Sequence, residues 1–344
     1  MAEPQAPPAI TPLALAKRYA FPALVVAGLI AAACLAVDLR RLGQLLLAAR
    51  LWPLAALLAC HVLNLLLHSL RLYLLMGRAV PVGTLFHANN VCNMVNSLLP
   101  FRAGEFAMAL MLARQVPGGG AEVLSRVFVD RLLGLISILT VFLAALPGFS
   151  PHGAAAASLA HSGAYYVAAL GGIVLALFLA TALEDQLVAL ARLVLSRLPL
   201  QPEPAIARLR GLINGLRVLF RLRTSAPVFL LALGSWGFII ALNYCGMLSV
   251  IPAPSVTAAV FVTFLTIVGI MLVATPSGVG TVHGATVLVL SMFGIGAEQA
   301  LAVGILAHAL VTAANIGLGL VSAQRMDFHL GRLLRRTTGP DPAA

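Results

Sequence analysis

Charged side chains in a strongly apolar chain mark where chemistry has to be sought. Each costs at least about 2.5–3.5 kcal/mol at the centre of a bilayer-spanning helix, and persists there only when paired or wetted. Arg102 and Glu105 lie three residues apart in Leu98-Leu99-Pro100-Phe101-Arg102-Ala103-Gly104-Glu105, between two short apolar runs. Two chemistries fit them. They can pair with each other and staple a turn, or Arg102 can offer its planar fork to a lipid phosphate while Glu105 orients it or binds a headgroup amine. Upstream, Asn89, Asn93 and Asn96 fall at i, i+4 and i+7, which puts three amides on one helical face. Such a stripe either lines a polar path for a headgroup or glues its helix to neighbouring ones.

Further along, Arg126 and Asp130 form an i, i+4 pair that can neutralise itself, and with Arg131 they make a charge network placed to close such a path from below. In the second half, Thr275-Pro276-Ser277-Gly278-Val279-Gly280 is a turn of small residues. Ser277, Gly278 and Gly280 would let backbone amides approach an anion closely. His283, just beyond, is either a titrating group or a satisfied buried histidine. His61, His68 and His308 read as hydrogen-bonded packing residues, and Glu298 as an acid favoured by a helix N-terminus. Neither metal-ligand spacing, nor a glycine-rich phosphate loop, nor a Ser-His-Asp arrangement occurs, so no metal, cofactor or catalytic residue is expected and the chain is read as a non-enzyme.

The elements that must hold these residues are set by composition. Of 344 residues, 61% are hydrophobic and 10% charged, with mean hydropathy +1.01. No water-soluble fold could cover such a chain with polar surface, so it belongs in a membrane. The formal charge of +11 resides mainly in arginines of the connectors, where it orients helices and contacts anionic lipid rather than nucleic acid. Cys34, Cys60, Cys92 and Cys245 lie within apolar runs and are expected as packed free thiols.

A bilayer crossing needs about 20 apolar residues. Six runs qualify: 20–37, 51–76, 122–146, 161–183, 226–248 and 297–322. Two regions are broken instead, 84–99 with 104–116 and 256–275 with 281–294. Each reads as a re-entrant hairpin whose interrupted backbone is buried in protein. The arginine-rich connector 184–225, in which 206–220 has the spacing of an amphipathic surface helix, should be cytoplasmic. The fold expected is therefore an all-α polytopic membrane protein with about six spanning helices plus two re-entrant helical hairpins. The halves 51–146 and 226–322 match in element order and spacing with opposite membrane orientation, an inverted-topology repeat of the transporter kind. A cytoplasmic segment 1–19, without a cleavage signal, precedes a single transmembrane domain 20–325, and a basic cytoplasmic tail 326–344 follows. Arg40, Arg41 and Arg50 fall on the outer side in this arrangement, against the positive-inside rule.

The run around Arg102 and Glu105, the Asp130-Arg131 pair and the Pro276-Ser277-Gly278-Val279-Gly280 turn together resemble the flippase-like family named after the transmembrane region of lysylphosphatidylglycerol synthase. The resemblance covers about residues 20–325. It implies movement of aminoacylated phosphatidylglycerol or other amphiphilic lipids between leaflets. Relatives often carry an acid where this chain has His283, and another near Gly134. Their replacement weighs against an aminoacyl-lipid substrate. Because the chain ends soon after the last apolar run, the aminoacyltransferase activity of the name-giving synthase is not expected.

The reading reached from the sequence is a bacterial inner-membrane protein with both termini cytoplasmic, moving an anionic or phosphate-bearing amphiphilic lipid such as an anionic phospholipid or a polyprenyl-phosphate. Arg102, Glu105, the three asparagines, Ser277, Gly278 and Gly280 would contact the headgroup. A second copy of the chain or a lipid-biosynthetic enzyme are the candidate protein partners. The alternatives are a non-transporting membrane partner of such an enzyme and an intramembrane lipid-linked transferase using Glu105 or Asp130.

Overall fold

The computed structural model describes residues 38–99, 102–148, 182–197, 222–272 and 275–328, with scattered positions between 172 and 213. The expected span 20–37, most of the span 161–183 and of the amphipathic segment 206–220, and the termini lie outside the described residues. All regular structure among the described residues is helical. In chain order the α-helices are α1 (Leu39–Leu47), α2 (Leu51–Leu75), α3 (Val82–Leu98), α4 (Ala103–Leu112), α5 (Gly119–Ala145), α6 (Glu184–Leu195), α7 (Leu222–Val250), α8 (Val256–Leu272), α9 (Thr281–Met292) and α10 (Ala297–Arg325).

Four described helical segments are long and apolar enough to cross a membrane: Leu51–Leu75, Gly119–Gly148, Ser225–Val250 and Ala297–Arg325. They coincide with four of the expected spans, with no end shifted by more than three residues. Both interrupted regions are indeed broken. Helix α3 has 17 residues and α4 has 10, lengths of about 26 and 15 Å at 1.5 Å per residue. Helix α4 stops at Leu112, short of the expected 116, where the chain enters the turns that lead to Gly118 and Gly119. In the second half α8 has 17 residues and α9 has 12, so the order long, short, short, long occurs twice.

Local chemistry explains the breaks. Leu99 precedes a proline, which disfavours helical backbone, and it is extended at φ −118°, ψ 143°. Arg102 then takes the left-handed conformation, φ 54°, to start α4. At the second break Ser277 is also left-handed, φ 55°, and Gly280 at φ 83° occupies a backbone region closed to most side chains. Ahead of the first long helix, the Asp38 side chain caps α1, accepting from the Arg40 and Arg41 amides at 2.8 and 3.2 Å.

The two halves interlock. Helix α2 lies along α7, and each half's first short arm packs on the other half's last helix: α3 on α10, and α8 on α5. Both hairpins also close on themselves through α3 with α4 and α8 with α9. Small residues permit these approaches. Gly319 of α10 faces Met94 and the Asn90 carbonyl of α3, while Gly104 of α4 lies against the Cys92 carbonyl and Asn96. Cys60, Cys92 and Cys245 are free thiols, as expected, and Cys34 lies outside the described residues.

Gly104→Ala should cost about 1–3 kcal/mol through overpacking, because its Cβ would meet a backbone oxygen. A lowered thermal midpoint in detergent checks this, and Gly284→Ala, whose Cβ has nothing within 4 Å, should not lower it.

Candidate functional site

Two clusters of polar side chains form where the helices break and where α5 passes them. In the first, Asn96 of α3 holds the hairpin tip: its Oδ1 accepts from the Gly104 amide at 2.8 Å and its Nδ2 donates to Glu105 Oε2 at 3.2 Å. Glu105 Oε1 then receives Arg131 Nη2 of α5 at 3.2 Å, with Arg102 Nη1 farther off at 3.9 Å. The expected pairing of Arg102 with Glu105 is therefore present but long, and Arg131 is the closer partner. The Arg102 side chain stays 45% exposed whereas that of Glu105 is 12% exposed. Arg131 Nε is buried without a hydrogen-bond partner, and so are both amide atoms of Asn89.

The asparagine stripe divides accordingly. Asn96 belongs to the hairpin tip, Asn89 is fully buried and unpartnered two turns below it, and Asn93 lies partly exposed between them.

The expected Arg126–Asp130 pair does not form. Arg126 donates instead to Glu122 Oε1 at 3.0 Å and to the Leu75 carbonyl at 2.7 Å. Asp130 turns into the core, where Arg71 of α2 grips it with Nε on Oδ1 at 2.5 Å and Nη2 on Oδ2 at 2.9 Å, and His68 Nε2 donates to Oδ2 at 3.0 Å. Full burial explains the exchange, since a carboxylate out of water needs several donors, and the two-pronged guanidinium supplies them. His68 is thus a partner of Asp130 rather than a packing residue alone. Arg71 escaped attention, although its signal was available: it lies three residues from His68, on the same face of an apolar helix. His61 does behave as a hydrogen-bonded packing residue, its Nε2 lying 3.0 Å from Asn315 Oδ1.

The second cluster surrounds the Pro276–Gly278 turn. His308 Nε2 of α10 donates to the Ser277 carbonyl at 3.0 Å and lies 3.2 Å from its Oγ. Thr312 Oγ1 is 3.0 Å from the same Oγ. His283 packs edge-on against His308 with ring centroids 5.0 Å apart, and its Nδ1 accepts the Gly280 amide at 3.4 Å. Gly278 and Gly280 are buried within the turn. The turn itself contacts α3, so the second break meets the arm of the first hairpin.

The two clusters occupy matching positions. Glu105 is the third residue of α4 and His283 the third of α9, and their partners Arg131 and His308 lie near the middle of α5 and α10. An ion pair at one break is replaced by two imidazoles at the other.

The family model of the lysylphosphatidylglycerol synthase TM region matches residues 19–319. The chain belongs to this family. It is accordingly a membrane protein related to lipid metabolism or transport. No curated protein and no solved structure gives a significant match.

Removing one partner of the buried pair should be severe, about 3–5 kcal/mol, because it strands a charge. Asp130→Ala is expected to collapse the thermal midpoint in detergent, and the double variant Arg71→Met/Asp130→Leu to restore much of it.

Proposed function

We propose that this protein moves the headgroup of an anionic, phosphate-bearing amphiphilic lipid between leaflets of a bacterial inner membrane, and that it transports the lipid rather than remaking it. In this reading the two short-armed units are re-entrant hairpins of an inverted repeat, and their broken tips meet at the transport path. The short arms support it, because neither α4 nor α9 reaches the roughly 30 Å of a hydrocarbon core.

One observation carries the assignment: the first cluster holds more positive than negative charge. Arg71 and Asp130 cancel each other. Glu105 must serve both Arg131 and Arg102, which leaves one guanidinium charge without an equivalent. Arg102, half exposed at the hairpin tip, is where an anion can reach it. A phosphate oxygen pair matches the guanidinium fork, and the unpartnered Arg131 Nε supplies a further donor nearby. Glu105, fixed by Asn96, keeps the arginines apart and aimed. Acyl chains remain in the bilayer during transfer, which avoids carrying a bare phosphate through hydrocarbon.

Lipid mass spectrometry on the purified protein tests the reading directly. One anionic lipid class should be enriched over the bulk membrane and lost from Arg102→Ala; bulk lipid in both samples would overturn it. In proteoliposomes, Arg102→Ala should slow transfer of a labelled anionic phospholipid by about ten- to a hundredfold, the worth of one or two charge-assisted hydrogen bonds, with the thermal midpoint unchanged.

A further inference from the structure

Where the first break has charges, the second has two imidazoles that each hold the tip through one nitrogen. His283 of α9 and His308 of α10 meet edge-on, ring centroids 5.0 Å apart, and both are only partly buried, so a proton from water can reach them. His308 Nε2 donates to the Ser277 carbonyl at 3.0 Å, which leaves its Nδ1 as the unprotonated nitrogen of the neutral ring. His283 is the opposite case. Its Nδ1 accepts the Gly280 amide at 3.4 Å, so a proton added there would set two N–H groups against each other and release the tip. The other histidines among the described residues are engaged elsewhere, His61 with Asn315, His68 with Asp130 and His87 with Ser322.

Few charges surround the pair. Helix α8 carries no titratable side chain, α9 carries His283 alone, and α10 adds Glu298 and Arg325 in its end turns. On α7, Tyr244 and Cys245 are level with His308, since Ala307 meets Gly246, and Cys60 of α2 packs in the same cluster as Cys245. On α3, Cys92 lies behind Gly104, and on α1 Arg40 and Arg41 are exposed near the start of α10. Glu298 is thus the one carboxylate on the helices that pack around α9 and α10, and it stands about 15 Å along the axis from His308.

An imidazolium formed at this depth therefore lacks an acid to offset it, and an unpaired charge inside a membrane is costly. An anionic ligand supplies the missing counter-ion. The Pro276–Gly278 turn touches α3, so the pair stands beside the hairpin whose tip carries Arg102. Rings 5.0 Å apart repel if both are charged, which limits the pair to one proton. We infer that the His283–His308 pair takes up one proton together with the headgroup, so that a monoanionic lipid and a proton cross as a neutral couple. The proton passes from water on one side to an imidazole nitrogen and returns to water on the other side when the phosphate leaves; only N–H bonds form and break. This rests on the protein moving an anionic lipid.

Two measurements test it. Adding phosphatidylglycerol to weakly buffered protein in detergent should withdraw about one proton per lipid bound, read with an indicator dye, because ligands that bind together tighten each other reciprocally. In proteoliposomes of phosphatidylcholine with acyl-labelled phosphatidylglycerol, clamped at zero potential by potassium and valinomycin, a gradient of about one pH unit should enrich the label about tenfold in the leaflet facing the alkaline side. A membrane potential without a pH gradient should enrich it in neither. His283→Asn, whose Oδ1 can accept the Gly280 amide but takes no proton, should abolish both the proton uptake and the gradient response with an unchanged thermal midpoint. His308→Gln, which keeps a donor for the Ser277 carbonyl, should weaken both.

Arg102-dependent movement that follows the potential and ignores the pH gradient would overturn the proton coupling and leave the anionic-lipid reading intact. Proton uptake and a gradient response that survive both substitutions would overturn the assignment to this pair. Absence of any Arg102-dependent binding or movement would remove both readings.

Discussion

A carboxylate withdrawn from water must be ringed by donors, and the arrangement around Asp130 answers that demand. Arg71 and His68, one turn apart on α2, close on it from a single helix. The contact locks α2 to α5 and fixes the rotation of α5 about its own axis. Successive residues of a helix point about 100° apart, so burying Asp130 against α2 leaves Arg131 directed elsewhere, toward Glu105 of the hairpin. The geometry of the first cluster thus depends on a neighbouring pair that makes no contact with Glu105 itself.

Around this anchor the halves are interwoven rather than set side by side. Each first short arm packs on the last long helix of the other half, so neither hairpin can shift without disturbing the opposite half. The same interlocking brings the Ser277 turn against α3. The two breaks carry different chemistry: an ion pair, Glu105 with Arg131, at one, and the His283–His308 stack at the other.

Close approach of backbones is what makes such packing available to a chain with so few charges. Gly104 and Gly319 allow α4 and α10 to meet α3 at main-chain distance. At those contacts the added methyl of any other residue would meet a carbonyl oxygen or a buried side chain. Polar links between helices are sparse but specific, as in Ser235 with Asn64 at 2.7 Å and Trp236 Nε1 on the Gly134 carbonyl at 2.8 Å. The second occupies a position where an acid in relatives was anticipated.

The amino-acid order alone determined the membrane setting, the four described long helices and the location of both breaks. These follow from local causes: run length against bilayer thickness, a residue before proline at the first break, and small residues where the backbone turns left-handed at the second. It also singled out Arg102, Glu105, Asn96, Ser277 and His283 as residues of the breaks. Partner choice was decided only by the tertiary structure. Helical spacing offered Arg126 to Asp130, yet Asp130 took Arg71 and His68, more than fifty residues away in the chain. Likewise nothing local joined Ser277 to His308 and Thr312. Spacing along one helix says which side chains share a face; which of them becomes buried, and must therefore find donors, depends on what packs against that face.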